Sequence, residues 1–388
     1  MVWLLGLTQI VGYGTLYYSF SILAGDVAAT FGWQPSWLFA SFSLGLFAGS
    51  ITAPEVGRRI DRHNAGVVMS LGTVACALTL LAAAAAPNAW VFAAATVAAQ
   101  VAGMLVLYDA AFAALVQAAG GDARKRITQL TLVAGFASTI FWPLTSWLDA
   151  FLGWREIYIA FAAANLLLCL PVHALLARHN LHARRRAAEG LPPPAPTPAE
   201  IPPEQQRRAV WLVTLGFALS GVTLSGILAQ MVPTLTALGL GSSALVVSAL
   251  FGPSQFLFRL GNMVIGVRHH PIAAALLAAA MLPLSVTILT VSAPLAVGAA
   301  AFAMLLGFGS GLKSIVQGTL PLALFGSHRY GARLGQMASV RQGLAAVAPF
   351  MLAFLIETFG TTVALSTITA VGFAGLACFV AVARLRKA

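Results

Sequence analysis

Four ionisable residues lie where such residues are costly. The stretch "MLVLYDAAF" (104–112) contains Asp109, the one charged residue between Ala89 and Ala119. Arg259, Lys313 and Arg341 sit within other apolar runs. A charge at the centre of a bilayer costs about 3 kcal/mol or more, so such residues face an aqueous cavity or one another and mark the route of an ion or substrate. An arginine offers a two-pronged donor matched to a carboxylate, and a lysine offers a point charge. An aspartate can take up and release a proton. The chemistry to expect is capture of an anion linked to proton uptake. Covalent chemistry has no foothold: the chain lacks H-E-x-x-H, G-x-S-x-G and paired carboxylates at helical spacing. An intramembrane enzyme is therefore the disfavoured alternative. Primary pumping is disfavoured as well, since no G-x-x-x-x-G-K-[ST] phosphate loop occurs.

The elements that must hold these charges are membrane helices. Of 388 residues, 59% are hydrophobic and 9% charged, with a mean hydropathy of +0.88. That is too little charge to cover a soluble domain. Apolar runs long enough to span hydrocarbon recur throughout, and abundant Ala and Gly suit packed helices better than a barrel. Breaks at Pro, Gly and charged residues divide the chain into twelve candidate helices. They cover 3–30, 35–57, 66–86, 89–119, 127–150, 155–177, 209–232, 243–266, 271–292, 294–323, 332–357 and 361–383. The start, "MVWLLGLTQI", has no basic region before its apolar run and is read as a retained first helix.

Basic residues orient these helices. With the N-terminus in the cytoplasm, the cytoplasmic connections should be rich in Lys and Arg. Arg58, Arg59 and Arg62 follow the second run; Arg124, Lys125 and Arg126 follow the fourth. Arg268 follows the eighth, Arg329 and Arg333 the tenth, and "RLRKA" closes the chain. The opposite side carries Arg155 alone. The formal charge of +11 is thus topological, and no nucleic-acid partner is expected. Trp33, Trp37, Trp90 and Trp154 fall near the outer boundaries, as an aromatic belt would. Cys76, Cys169 and Cys378 lie inside apolar runs and offer neither metal spacing nor a disulfide framework. His63, His269, His270 and His328 fall in cytoplasmic connections as solvated residues, and no metal or cofactor is expected.

Residues 178–208, with seven prolines and six arginines, read as a flexible cytoplasmic linker between two six-helix halves, 1–177 and 209–388. The halves repeat weakly. A shift of 207 residues pairs Gly14 with Gly221, Gly32 with Gly239, Gly45 with Gly252, Arg126 with Arg333 and Gln129 with Gln336. A shift of 204 lays "GMLVLYDAA" (103–111) over "GFGSGLKSI" (307–315), so Asp109 falls on Lys313. Opposite charges at equivalent positions would face each other across a central cavity. They form either a permanent brace or a pair that breaks and re-forms during transport, and a permanent lock would hinder alternating access.

With twelve spans, a central linker and a parallel repeat, the chain resembles the major facilitator superfamily along nearly its whole length. "GRRIDRHNAG" (57–66) resembles that family's G-x-x-x-D-R-x-G-R signature through Gly57, Asp61 and Arg62, and departs from it at Asn64 and Ala65. The resemblance implies a gating role for these three residues, which would hold the cytoplasmic ends of the halves together. "FGW" (31–33) and "GWREIY" (153–158) are weakly similar to monocarboxylate and oxalate/formate porters. In those porters an arginine of the eighth helix binds the substrate carboxylate, and Arg259 is the matching residue. Gln255 stands where monocarboxylate porters place an acidic residue, which leaves Asp109 as the proton carrier.

The expected protein is an all-α transporter of twelve helices in two pseudo-symmetric halves. It would be an integral protein of a bacterial inner membrane, monomeric among its lipids, with both termini cytoplasmic. Arg259, Lys313 and Arg341 would bind a small organic anion, a carboxylate. Tyr13, Tyr17 and Gln255 would line the site, the two tyrosines sharing one helix face. Asp109 would couple protons in symport by alternating access. The alternative within the family is an efflux antiporter for a neutral or cationic solute or drug.

Overall fold

The computed structural model describes residues 1–119, 122–188, 197–241, 243–265 and 269–386, and every regular element among them is helical. Hydrocarbon offers no water to backbone groups, and a helix satisfies its own. Among the described residues, eleven helices are long and apolar enough to cross a bilayer. In chain order they follow a first helical run, α1 (2–31), which is also of spanning length. They are α2 (Pro35–Arg62), α3 (Ala65–Ala84), α4 (Ala89–Ala118), α5 (Ala123–Asp149), α6 (Trp154–His179) and α7 (Pro203–Ala229). Then come α8 (Ser243–Met263), α9 (Pro271–Ser292), α10 (Ala296–Phe325), α11 (Tyr330–Phe359) and α12 (Thr361–Leu385). Gln9, three tyrosines and Asp26 set α1 apart from the eleven. A short apolar helix, Met231–Leu240, follows α7.

Two boundaries differ from the sequence expectation. The second run was expected to end at residue 57, where charge begins, yet α2 continues to Arg62. Glu55 pairs with Arg58 at 2.7 Å and with Arg59 at 3.0 Å, one turn on, which supports the helical end. Gly57, Asp61 and Arg62 therefore stand on a helix and not in a loop. The stretch 178–208 is helical up to Ala188 and again from Pro203, and Ile201 between these helices is buried. Residues 189–196, Arg268 and Lys387 lie outside the described residues.

The chain forms two compact units. The first comprises Met1–Thr197 and Ser327–Ser339. Its core gathers Leu23, Leu38, Phe92, Ile157 and Phe161. Trp154 belongs to this core and not to a boundary belt: it is 6% exposed and its indole N–H donates to Thr30 Oγ1 at 2.9 Å. Trp37 and Trp90 are exposed, with Trp90 edge-on to Trp33. Small residues bring backbones together. A Cβ on Gly66 would collide with the backbone of Ala177, and Asn64 beside it donates to the Ala177 carbonyl at 2.6 Å. Gly66→Val should cost about 3 kcal/mol by overpacking. A clear fall in the melting temperature of the detergent-solubilised protein checks this, and an unchanged value would show that α3 and α6 can part freely.

The second unit comprises Pro198–Gly326 and Val340–Ala388. Its core gathers Leu282, Phe302, Leu306, Leu352 and Leu365. In it α10 packs on α8 and α9, and α12 on α7 and α9.

Candidate functional site

The sequence "MLVL" before Tyr108 contains no helix breaker, yet α4 is interrupted there. The helix ends at Gly103 and resumes at Tyr108. Across the gap the amides of Met104, Leu105 and Val106 reach back three residues, to Val101, Ala102 and Gly103, at 3.2, 3.0 and 3.1 Å. Such tightening leaves carbonyls that need other donors. Gln9 of α1, fully buried, supplies one: its Nε2 donates to the Val106 carbonyl at 2.8 Å. The interruption also places Asp109 in the first turn of the resumed helix. There the positive end of the helix dipole favours a carboxylate. This explains in part how an isolated charge is tolerated in an apolar run.

The first helix is interrupted too. A π-helical segment, Gly14–Tyr18, turns one residue more loosely, and the Ser19 amide reaches back five residues to Gly14. Gln100 of α4, 6% exposed, donates through Nε2 to the Leu16 carbonyl at 2.8 Å. The looser turn overturns the expectation that Tyr13 and Tyr17 share a face by α-helical spacing. Tyr13 meets Tyr18, five residues on, at a ring separation of 6.4 Å, and Tyr108 of α4 at 4.8 Å. Tyr17 turns to Tyr18 and to Phe42 of α2. A second π segment, Asn165–Cys169 in α6, begins with buried Asn165, which donates to Thr15 Oγ1 at 2.9 Å. Nearby His173, 1% exposed, has its ring nitrogens 2.7 Å from Thr73 Oγ1 and 3.2 Å from Thr8 Oγ1.

At the end of α2 the backbone is drawn against the start of α11. A Cβ on Gly57 would strike the Gly331 carbonyl, and one on Gly335 the Ala53 carbonyl. Ala53 and Gly57 thus face Gly331 and Gly335, a small-x-x-x-small pair on each helix. Asp61 completes the contact: Oδ1 accepts from the Gly331 N–H at 2.9 Å and Oδ2 from the Ala332 N–H at 2.7 Å. A carboxylate on the positive end of a helix, held by two amides, is a strong cap. Arg62 is exposed on the last turn of α2.

In the second unit the cations converge. The Cβ position of Gly221 in α7 lies 3.6 Å from Arg341 Cγ and 3.9 Å from Lys313 Nζ. A thin spot on α7 therefore admits side chains from both α10 and α11. Arg341 and Arg259 are each 6% exposed. Arg259 of α8 packs against α10, its Cγ 3.4 Å from the Cβ position of Gly311. One turn earlier, Gln255 Nε2 donates to Ser310 Oγ at 2.7 Å. Lys313 also borders a narrow crevice with Phe217, Ser220, Leu282, Val316 and Phe379. The carboxylates of this unit are Glu200, Glu204 and Glu357, all at helix ends or outside helices, so its middle is strongly cationic.

Tyr13 and Tyr108, the neighbour of Asp109, are thus brought together in one unit, and Lys313 and Arg341 in the other. Asp109 belongs to the first unit and Lys313 to the second. Gln9, Gln100, Asn165 and His173 are buried polar residues of the first unit outside the expected site. The signal that marked Asp109, one polar residue in an apolar run, was present for each of them.

The profile of the Major Facilitator Superfamily matches residues 2–349. Solved structures share the fold. The human organic anion transporter MFSD10 (TETRAN) superposes with a TM-score of 0.71 at 17% identity, over 97% of this chain and 98% of that one. The proton:xylose symporter XylE, bound to 6-bromo-6-deoxy-D-glucose, superposes with a TM-score of 0.69 at 11% identity, over 97% and 94%. No curated protein matches the chain. The helical membrane architecture, the family profile over most of the chain and the full-length likeness to two transporters agree: the chain belongs to the major facilitator superfamily and is an integral membrane transporter.

Proposed function

We propose that this transporter moves a small organic anion, a carboxylate, by alternating access coupled to protons. The observation that carries it is the convergence of Lys313 and Arg341 on Gly221 in a unit whose membrane-embedded charges are all positive. Cations at membrane depth mark the route of a charged substrate, and an anion complements them. Arg259 adds a two-pronged donor, with Gln255 one turn away. One structural neighbour is named as an organic anion transporter and another as a proton symporter, which fits both parts of the proposal. Asp109 is the proton carrier, its protonation linked to anion binding in the cycle. Proton uptake and anion binding then reinforce each other reciprocally. Asp61, with Gly57 and Arg62, forms the gate. The halves 1–177 and 209–388 move about the 178–208 linker in the inner membrane of a bacterium, the protein acting as a monomer with both termini in the cytoplasm.

A second possibility has one observation in its favour. Tyr13, Tyr18, Tyr108 and Trp142 form a chain of ring contacts beside Asp109. Aromatic faces with a carboxylate suit an organic cation and hence an efflux antiporter. Thermal stabilisation in detergent separates the two. Carboxylates at saturating concentration should raise the melting temperature by mass action, and more at low pH; neutral solutes and organic cations should not. Stabilisation by cations alone would overturn the anion proposal. For topology, cysteines placed at Pro87 and Gly241 should label from outside intact cells and one at Pro196 should not. Outside labelling at Pro196 would reverse the orientation.

A further inference from the structure

The two glutamines of the first unit hold each other's helix at its weak point. Gln9 of α1 donates to Val106, inside the interruption of α4, and Gln100 of α4 donates to Leu16, inside the π segment of α1. Both are at least nine-tenths buried. Each donates to a carbonyl inside the irregular stretch, and each comes from the other helix. Ordinary packing does not require this reciprocity. Gln9 even leaves its own Oε1 buried without a hydrogen-bond partner. A side chain selected for packing alone would carry no such cost, so the donation to Val106 is what the position requires.

Other contacts join the same two helices. Tyr13 lies one residue before the π segment and Tyr108 first after the α4 interruption, with rings 4.8 Å apart. Gly12 lets Leu107 approach to 3.2 Å of its Cβ position. A helix interruption can change its local geometry more readily than a regular helix, because fewer backbone bonds hold it. Two interruptions tied to each other cannot change independently.

We infer that Gln9 and Gln100 are positioning residues that lock the interrupted stretches of α1 and α4 into one element, so that Tyr13 and Asp109 shift together. This rests on the proposed role of Asp109 as proton carrier. It gives that carrier a mechanical link to the tyrosines of α1, and predicts that coupling is lost when the link is cut although the transporter still turns over.

The test is Gln9→Met, which keeps the length and removes the donor, and Gln100→Met, each in reconstituted full-length protein. Amide hydrogen exchange over 104–109 should rise at least about tenfold in Gln9→Met, and over 15–19 in Gln100→Met. Proton-driven accumulation of a carboxylate probe should fall at least about tenfold, while carboxylate exchange changes less than about threefold. If Gln9→Met does not fold, Gln9→Asn, whose shorter arm retains a donor but cannot reach, takes its place. Wild-type exchange over both segments overturns the inference, and so does raised exchange with accumulation intact. Should Asp109→Asn itself accumulate substrate, the carrier assignment fails, and the hydrogen-exchange measurement alone then decides whether the glutamines lock the helices.

Discussion

Lys313→Ala is expected to weaken carboxylate binding about 100-fold, and Asp109→Asn to bind at least as well as the native protein with a flattened pH dependence. Truncating one side of a desolvated charge pair costs about 2–5 kcal/mol. At 1.4 kcal/mol per factor of ten that is a loss of about 30-fold or more. Lys313 is the cation to remove because its Nζ and the Arg341 side chain both lie against Gly221 of α7. Asp109→Asn mimics the protonated carrier. It should abolish accumulation driven by a proton gradient and leave substrate exchange. The measurement is affinity against pH for the native protein and both variants, with accumulation in the same vesicles. Accumulation by Asp109→Asn would remove Asp109 as carrier. Normal binding by both Lys313→Ala and Arg259→Ala would remove the anion.

Asp61→Asn should slow transport about tenfold to 100-fold while equilibrium affinity stays within about threefold. The Asp61 carboxylate takes two amides of α11, at 2.9 and 2.7 Å, and no substrate candidate shares that contact. A hydrogen bond to a charged group contributes about 1.5–3 kcal/mol. Asparagine keeps one acceptor and loses both the charge and its interaction with the helix end. Any conformation in which this cap is made is therefore destabilised relative to one in which it is not. The cycle slows as one state is depleted, while the cations of the second unit are untouched. Initial rates and equilibrium binding on the same preparation check this. A loss of affinity as great as that of Lys313→Ala would place Asp61 in the binding site instead of the gate.

Much of the architecture was legible in the residues themselves. Spans follow from runs of apolar residues, because transfer into hydrocarbon is nearly additive along a helix and needs no knowledge of neighbours. The basic stretches and the isolated Asp109, Arg259, Lys313 and Arg341 stand out for the same reason. Gly57 and Asp61 stand out through their resemblance to a family signature. Their partners do not: Gly331 and Ala332 follow some 270 residues later, and nothing local in either segment names the other. α2 runs past its expected end at residue 57 because Glu55 and the arginines after it pair along the helix and extend it.

What only the tertiary structure decided is where helices depart from regularity and what compensates. "MLVL" holds no helix breaker and "GTLYY" holds only one glycine, yet α4 breaks in the first and α1 loosens in the second. Carbonyls within both stretches take side-chain donors, Gln9 and Gln100, each from the other helix. That donation depends on two segments meeting. Tyr13 turned from Tyr17 to Tyr18 by the same cause, since the π segment changes the spacing of everything beyond it. Hydropathy is local and determined the spans; a donated hydrogen bond needs its partner in place and was settled only by folding.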